Sequence, residues 1–255
     1  MKGKGVATKS ASLVERFYPE SRFGGFSRVS GSVEFYTRIA ALLRPGDHVL
    51  DYGAGRGAVI DTDRSDFGRS LKILKGRVAH VEGCDVDPAV LDNPYIDHAE
   101  VIDPAKPLPY PDASFDLILS SWVFEHVDDP VTVSRELLRV LKPGGYICAV
   151  TPNRWGYISL AARLAGNANH VPLLKKIQPD RKDFDVFPTR YRLNTPAAIR
   201  KYFGAQADVV VYGMSSEPAY HLNNTFLYRV FKLIHKLTPE RFETALFIFV
   251  RKFDR

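Results

Sequence analysis

Within nine residues, Val49-Leu50-Asp51-Tyr52-Gly53-Ala54-Gly55-Arg56-Gly57 places an apolar run, a carboxylate and three glycines. A buried strand of this kind ends in a carboxylate, and the glycines let the backbone turn tightly against a ligand. The helix that follows offers free N–H groups to an anionic moiety. Gly53, Gly55 and Ala58 also satisfy the GxGxxG/A spacing of dinucleotide-binding turns. Two details weigh against a dinucleotide. Asp51 stands where a pyrophosphate's charge is unwelcome, whereas it would attract an ammonium or a sulfonium. Asp85, the acidic residue ending the next strand, lies 32 residues after Gly53, further than the roughly 20 of dinucleotide folds. A glycine turn without a ligand is the bland alternative.

Val81-Glu82-Gly83-Cys84-Asp85-Val86-Asp87-Pro88 is the second constellation. A carboxylate at the C-terminal end of a strand can accept both hydroxyls of a ribose. Asp85 is the better candidate, because Asp87-Pro88 reads as the N-cap of a short helix. Asp85 and Asp87 also spell Asp-x-Asp, a metal–nucleotide-sugar pattern of some glycosyltransferases, but the pattern is too short to carry weight.

Strands alternating with helices must position these residues. Gly31 to Arg44 has helical spacing and stops at Pro45-Gly46. Strands are expected at His48 to Tyr52, Val78 to Cys84, Ala99 to Ile102, Phe115 to Ser120 and Tyr146 to Val150. Between the last two, Asp128-Asp129-Pro130 reads as a turn and N-cap opening a helix from Pro130 to Leu141, and Lys142-Pro143-Gly144-Gly145 stops it in a turn. Residues 61–68 are unusually polar and glycine-bearing for the first helix, which should start late or be broken. Thr195-Pro196 opens a helix to Phe203, and Ala207 to Tyr212 and Ala245 to Val250 are the sixth and seventh strands. The rhythm implies parallel βαβ units covered on both faces. Residues 1–30 read as an arm over a single domain spanning 1–255, and 153–190 as an insertion after strand five.

Composition bounds the rest. The 255 residues are 45% hydrophobic and 25% charged, enough for one large domain with a real core. No run of eighteen apolar residues exists, so no membrane-spanning helix is expected. The first ten residues lack the apolar stretch of a signal peptide. Cys84 and Cys148 fall inside apolar runs and read as reduced, which suits the cytoplasm. The net charge of +6 selects only weakly among nucleic acid, an anionic membrane and an acidic substrate.

At this point the sequence resembles the class I S-adenosylmethionine-dependent methyltransferases of the small-molecule type. The resemblance runs from Val33 to Val150 and resumes at 191–195. Its most specific part is Leu108-Pro109-Tyr110-Pro111-Asp112-Ala113-Ser114-Phe115-Asp116-Leu117-Ile118, followed by Phe124-Glu125-His126-Val127 and by Glu136-Leu137-Leu138-Arg139-Val140-Leu141-Lys142-Pro143-Gly144-Gly145. It implies an α/β, Rossmann-like, seven-stranded and mostly parallel sheet with the last strand antiparallel. It also implies roles. Asp51, Gly53 and Gly55 would hold the methionine end of S-adenosylmethionine. Asp85 would take the ribose, with Val86 against the adenine and Asp103 accepting the adenine amino group. Ser120 would end the fourth strand beneath the sulfonium. Pro104 constrains the loop after Asp103 and departs from the pattern.

Around the acceptor the candidates are Trp122, His126, Tyr157, His170, Arg190 and Tyr191. His126 is either a general base or a histidine that orders its loop by bonding backbone. Some ubiquinone-pathway O-methyltransferases resemble this stretch and bind a metal there. Trp122 stands where that pattern would want a carboxylate, so no metal is expected. The expected reaction moves a methyl group to an oxygen or nitrogen of a small-molecule or lipid-linked acceptor. An NAD(P)-dependent oxidoreductase on a related fold and a catalytically silent cofactor-binding protein are the alternatives.

Lys175, Lys176, Arg181, Lys182, Arg190 and Arg192 cluster in or beside the insertion. They read as a solvated face or as a site for an anionic or lipid-phosphate acceptor. Nucleic acid ranks lower, since no nucleic-acid module accompanies the charge. Residues 226–237 form an amphipathic pattern, with Phe226, Val230, Leu233, Ile234 and Leu237 on one side and Arg229, Lys232, His235 and Lys236 on the other. The plain expectation is a cover helix with its apolar side on the sheet. The alternative is peripheral contact with an anionic membrane.

Overall fold

Apolar residues alternate between two faces along the strands, so each strand feeds two cores at once. In β4 (Phe115–Ser121), Leu117 and Leu119 join one core and Ile118 the other. The computed structural model describes residues 12–63, 65–163 and 188–254. Besides β4 the sheet contains β1 (His48–Tyr52), β2 (His80–Asp85), β3 (His98–Val101), β5 (Leu141–Pro152), β6 (Ala207–Met214) and β7 (Ala245–Lys252). Their order is β3-β2-β1-β4-β5-β7-β6. The first five run parallel, while β7 is antiparallel to both β5 and β6. This is the sheet that the resemblance implied.

Helices among the described residues flank it. They are α1 (Leu13–Phe17), α2 (Gly31–Leu42), α3 (Ala58–Asp61), α4 (Asp66–Lys72), α5 (Pro130–Val140), α6 (Pro196–Phe203) and α7 (Thr225–Leu237). On one face Phe35 and Ile39 of α2 and Leu71 of α4 pack with Leu117, Leu119 and Phe247. On the other Leu137 and Leu138 of α5 and Ile199 and Phe203 of α6 pack with Leu50, Ile118 and Ile248. Thr195 caps α6 and Asp129 caps α5, as the sequence suggested. The first helix is broken between α3 and α4. Asp63 in the gap holds the Lys72 ammonium at 2.6 Å.

Two expectations need correction. Lys142-Pro143-Gly144-Gly145 is not a turn between helix and strand. It lies within β5, whose partner register jumps from Phe115↔Leu141 to Leu117↔Tyr146. The extra residues bulge out of the ladder, and Gly144 takes a φ of 73° that a side chain would resist. The second correction concerns α7. Its buried side is Tyr228, stacked on Phe17 of the N-terminal arm at 4.8 Å, and Phe231, stacked on Tyr157 at 5.8 Å. Phe226, Val230, Leu233 and Leu237 face solvent. Aromatic stacking against the arm, and not burial of the aliphatic stripe on the sheet, sets the helix's rotation. Ile234 of the same set is half-buried.

Candidate active site

The carboxyl ends of β1, β2 and β4 meet at a glycine loop. Gly53 has a φ of 81°, and a Cβ there would stand 2.2 Å from Val123 Cγ2. Only glycine meets both demands. The loop is pinned from two sides. The Gly53 amide donates to the Cys84 carbonyl at 2.7 Å, and Asn93 Nδ2 donates to the Gly55 carbonyl at 3.0 Å. At Gly55 a Cβ would meet no protein atom closer than Asp85 Oδ2 at 3.9 Å, so this loop edge is open.

Asp85 closes β2 and is fixed by two backbone amides. Oδ2 accepts from Gly55 at 2.9 Å and Oδ1 from Asp87 at 2.9 Å. Each oxygen keeps accepting capacity toward the cleft. Asp87 instead caps the short 3₁₀ turn Pro88–Asp92 by accepting from the Ala89 amide at 2.9 Å.

A cavity of about 770 Å³ opens over this loop, and Gly53, Gly55, Asp85, Val86 and Ile102 contribute to its lining. A second cavity of about 620 Å³ has Phe35, Tyr36, Tyr191, Tyr220 and Phe247 in its wall, together with Lys72, Glu125 and Glu217. Ser121, Trp122, Glu125, His126 and Pro188 line both. A small third cavity of about 60 Å³ contains Asp51, Gly53, Tyr36, Lys72 and Ser121 in its lining. Ser121 thus borders all three.

Charge is arranged along this line. Burial, aided by the neighbouring Asp85 charge, pushes the Asp51 carboxyl up to about 7. Lys72, buried and paired with Asp63, lines the same small cavity. At the wall between the two large cavities, Glu125 Oε2 accepts from Thr151 Oγ1 at 2.9 Å. Asn194 Nδ2 in turn donates to Thr151 Oγ1 at 2.7 Å. This buried chain fixes the Glu125 carboxylate. His126 Nδ1 is 3.0 Å from the Pro188 carbonyl, and its Nε2 is 3.9 Å from Glu125 Oε1. A carbonyl partner requires the proton on Nδ1, which leaves Nε2 basic in the neutral ring. Trp122 holds a left-handed φ of 61°, and its amide donates to the Val150 carbonyl. A bulky residue strained at the mouth of two cavities is the kind of outlier found at functional sites.

Residues 65–149 match the family model described as a methyltransferase domain. The chain is similar to a demethylmenaquinone methyltransferase of Symbiobacterium thermophilum, at 31% identity over 42% of this chain and 43% of that one. It is similar to the ubiquinone/menaquinone biosynthesis C-methyltransferase UbiE of Vibrio campbellii, at 32% identity over 40% of each chain. The fold matches a solved SAM-dependent methyltransferase from Archaeoglobus fulgidus with a TM-score of 0.51, 18% identity and coverage of 93% of this chain and 99% of that one. Over residues 65–149 the chain thus resembles the S-adenosylmethionine-dependent methyltransferase family, and its sheet has that family's fold. S-adenosylmethionine is the cofactor of that family. The chain spans less than half the length of the two curated relatives.

The residues singled out in the sequence fall as follows. Gly53, Gly55, Asp85 and Val86 line the first cavity, and Asp51 the small one. Asp103 stands outside that lining, accepting from the Ala105 amide at 3.0 Å and pairing with Lys106 at 3.3 Å. Its neighbours Ile102, Pro104 and Ala105 line the cavity in its place. Ser120 is buried on the other face of β4, with no hydrogen-bond partner for its hydroxyl among the described residues. Ser121 is the one that faces the cavities. Trp122, His126 and Tyr191 line the second cavity, and Arg190 lines the first. Tyr157 stands a layer behind, its hydroxyl 3.0 Å from Nε2 of His235, which does line the second cavity. His170 lies outside the described residues. Among the described residues no group of three or more His, Cys, Asp or Glu side chains is placed to hold a metal ion.

Sequence reasoning missed Tyr36, Lys72, Ser121, Glu125 and His235. Ser121 follows from strand parity once the strand is carried one residue further. Lys72 had no local signal, since its partner Asp63 lies in the break between α3 and α4.

Proposed function

We propose that this chain moves a methyl group from S-adenosylmethionine to an apolar, ring-bearing acceptor, either a small molecule or a lipid-linked one. The observation that carries the reading is the meeting of two large cavities at Ser121 and Trp122. One has the glycine loop and Asp85 in its wall, the other a group of aromatic side chains, Phe35, Tyr36, Tyr191, Tyr220 and Phe247, among polar ones.

The donor set suits the cofactor. Asp85 presents two oxygens to a ribose diol, and Val86 and Ile102 offer apolar surface to a base. Asp51 faces the small cavity and would take the ammonium of an amino-acid end, which favours its ionised form, while Lys72 at the same cavity is already paired with Asp63. Asp103 sits at the rim, and the reading assigns the adenine edge to 102–105 as a whole. When bound, the sulfonium supplies an electrophilic methyl group.

The chain's own residues then have three tasks. The glycine loop and Asp85 fix orientation, since the reaction depends on alignment within the meeting point. Trp122 and Tyr191 exclude water from it. His126, held at Nδ1 by the Pro188 carbonyl and with Glu125 beside Nε2, can take a proton from the acceptor through Nε2. Relatives that include a C-methyltransferase widen the choice of methylated atom from oxygen or nitrogen to carbon, which needs the same removal of a proton. Residues 153–190 belong to this reading as the acceptor-binding insertion of a single domain. Ile158, Ser159 and Ala162 at one end, and Pro188 and Thr189 at the other, line the second cavity. Fully buried Cys84 and Cys148, both free, suit the reducing cytoplasm.

Thermal shift with S-adenosylmethionine, its demethylated product and NAD(P) tests the cofactor assignment. A ligand at a hundred times its dissociation constant stabilises the native state by about 2.7 kcal/mol. Stabilisation by the first two alone is the expected result, and stabilisation by NAD(P) alone overturns it. Transfer of a labelled methyl group to a panel of quinols and phenols then separates an enzyme from a silent binder.

A further inference from the structure

The α7 helix carries its faces in the reverse of the order a cover helix would need. Successive residues advance by about 100° around the axis. Tyr228, Phe231 and His235 fall on one side and pack against the body. Phe226, Val230, Leu233 and Leu237 fall on the side diametrically opposite. Phe226 and Leu237 are each 71% exposed and Leu233 55%. A continuous stripe of large apolar side chains in water marks a docking face.

The charge around the stripe says what docks. Beside it runs a groove of about 460 Å³ whose lining includes Arg28, Arg229, Lys232, Lys236 and Leu233 of the stripe itself. The lining has a single carboxylate, Glu243, whose pKa is raised by burial. The helix carries no acidic residue. An apolar stripe bordered by bases on one flank is the pattern of a helix lying in the headgroup layer of an anionic membrane. A second copy of this chain would bring the same four bases toward themselves, a repulsive arrangement. On its inward side the same helix lends His235 to the wall of the second cavity.

We propose that α7 is a membrane-docking helix, with the stripe Phe226, Val230, Leu233 and Leu237 among acyl chains and the basic groove on anionic lipid headgroups. Docking there sets the second cavity beside the bilayer. This deepens the apolar-acceptor reading and rests on it for that consequence alone.

Sedimentation with vesicles of phosphatidylglycerol and phosphatidylcholine, against phosphatidylcholine alone, tests the proposal without cofactor or acceptor. The protein is expected to sediment with the anionic vesicles at low ionic strength and to be largely released at about 0.5 M salt, where screening is short-ranged. Phe226→Ser/Leu233→Ser should weaken binding at least tenfold. Arg229→Glu/Lys236→Glu should weaken it at least tenfold on anionic vesicles only. Both variants should keep the parent's melting temperature and its thermal shift with S-adenosylmethionine. Absence of sedimentation at low ionic strength overturns the proposal, as does undiminished binding of the serine variant. So does a dimer in light scattering that the serine variant converts to monomer, since the stripe then belongs to a second copy. Loss of methyl transfer leaves the vesicle result standing. Loss of docking leaves transfer to a soluble acceptor standing.

Discussion

Asp85 Oδ2 accepts the backbone amide of Gly55 at 2.9 Å, so the carboxylate that would take a ribose also fixes the glycine loop. One side chain therefore couples the end of β2 to the loop after β1. Asp85→Ala removes the ribose acceptor and loosens the loop together. Hydrogen bonds to a charged group contribute about 1.5–3 kcal/mol each. Calorimetry should show S-adenosylmethionine affinity down by at least about tenfold, with the protein still folded. Asp87→Ala removes only the cap on Ala89 and should cost much less. The reverse order would move the ribose to Asp87.

Asp51 should make both stability and cofactor binding depend on pH. Its carboxyl holds a proton up to about 7 in the folded chain, against an ordinary value of 3.8. The folded state binds the proton more tightly, so this contribution is fully present below the ordinary value. It is lost as pH rises through about 7. Denaturant melts of the ligand-free protein should show stability falling across that window, and Asp51→Asn should flatten the slope. An arriving ammonium favours ionised Asp51, so cofactor binding near pH 6 should release up to about one proton. Calorimetry in two buffers of different ionisation enthalpy reads that proton. An unchanged heat after buffer correction would remove Asp51 from the amino-acid end.

The left-handed backbone at Trp122 separates its structural from its functional share. Its φ of 61° costs a non-glycine residue about 1–2 kcal/mol, and its side chain is nearly half exposed. Trp122→Gly relieves the strain and gives up little packing, so the melting temperature should stay within a few degrees of the parent. Methyl transfer should nevertheless fall, because the indole borders both cavities. A variant that melts far lower with activity intact would make Trp122 a packing residue.

Much of this was legible in the sequence where one local rule decided the outcome. The caps Asp87, Asp129 and Thr195 and the glycine at 53 are local devices, and each stands where its residue type demanded. The sheet followed from strand rhythm and from the resemblance together. Misreadings arose where distant packing chose between local options. Ser120 and Ser121 are adjacent and chemically alike, and only the pairing of Ser121 with Val150 carries the strand on and turns Ser121 toward Tyr36. The bulge at 142–145 looks like a helix stop until β4 and β7 pair on either side of it. The rotation of α7 depends on Phe17, more than two hundred residues away in the chain. Asp103 had a motif's promise, and the Ala105 amide and Lys106 hold it at the rim.

Activity should survive metal removal. The stretch from Trp122 to His126 offers Glu125 and His126, and the indole stands where a further carboxylate would be needed to complete a site. Methyl transfer measured with excess EDTA should match the untreated rate. A loss restored by added magnesium would place a metal at Glu125 and His126 and overturn the assignment of His126 as the proton acceptor.

Glu125 and His126 should control turnover without controlling cofactor affinity. The Pro188 carbonyl keeps the proton on His126 Nδ1, and the Glu125 carboxylate faces Nε2 from 3.9 Å. When Nε2 takes a proton, the ring becomes a cation beside a fixed anion, and the buried chain through Thr151 and Asn194 holds that anion in place. Glu125→Gln keeps the shape and removes the charge. It should lower kcat by about ten- to a hundredfold for an acceptor that must lose a proton, and His126→Gln by about 10²–10⁴. With a pre-ionised acceptor both losses should shrink, because no base is then required. Cofactor affinity should fall far less than kcat, since both side chains border the first cavity only where it meets the second and leave the glycine loop and Asp85 intact. The acidic limb of the kcat profile reports the histidine in the complex, and it should move to lower pH in Glu125→Gln, where the cation has lost its partner. An acidic limb that stays in place while kcat falls would leave Glu125 a packing role alone.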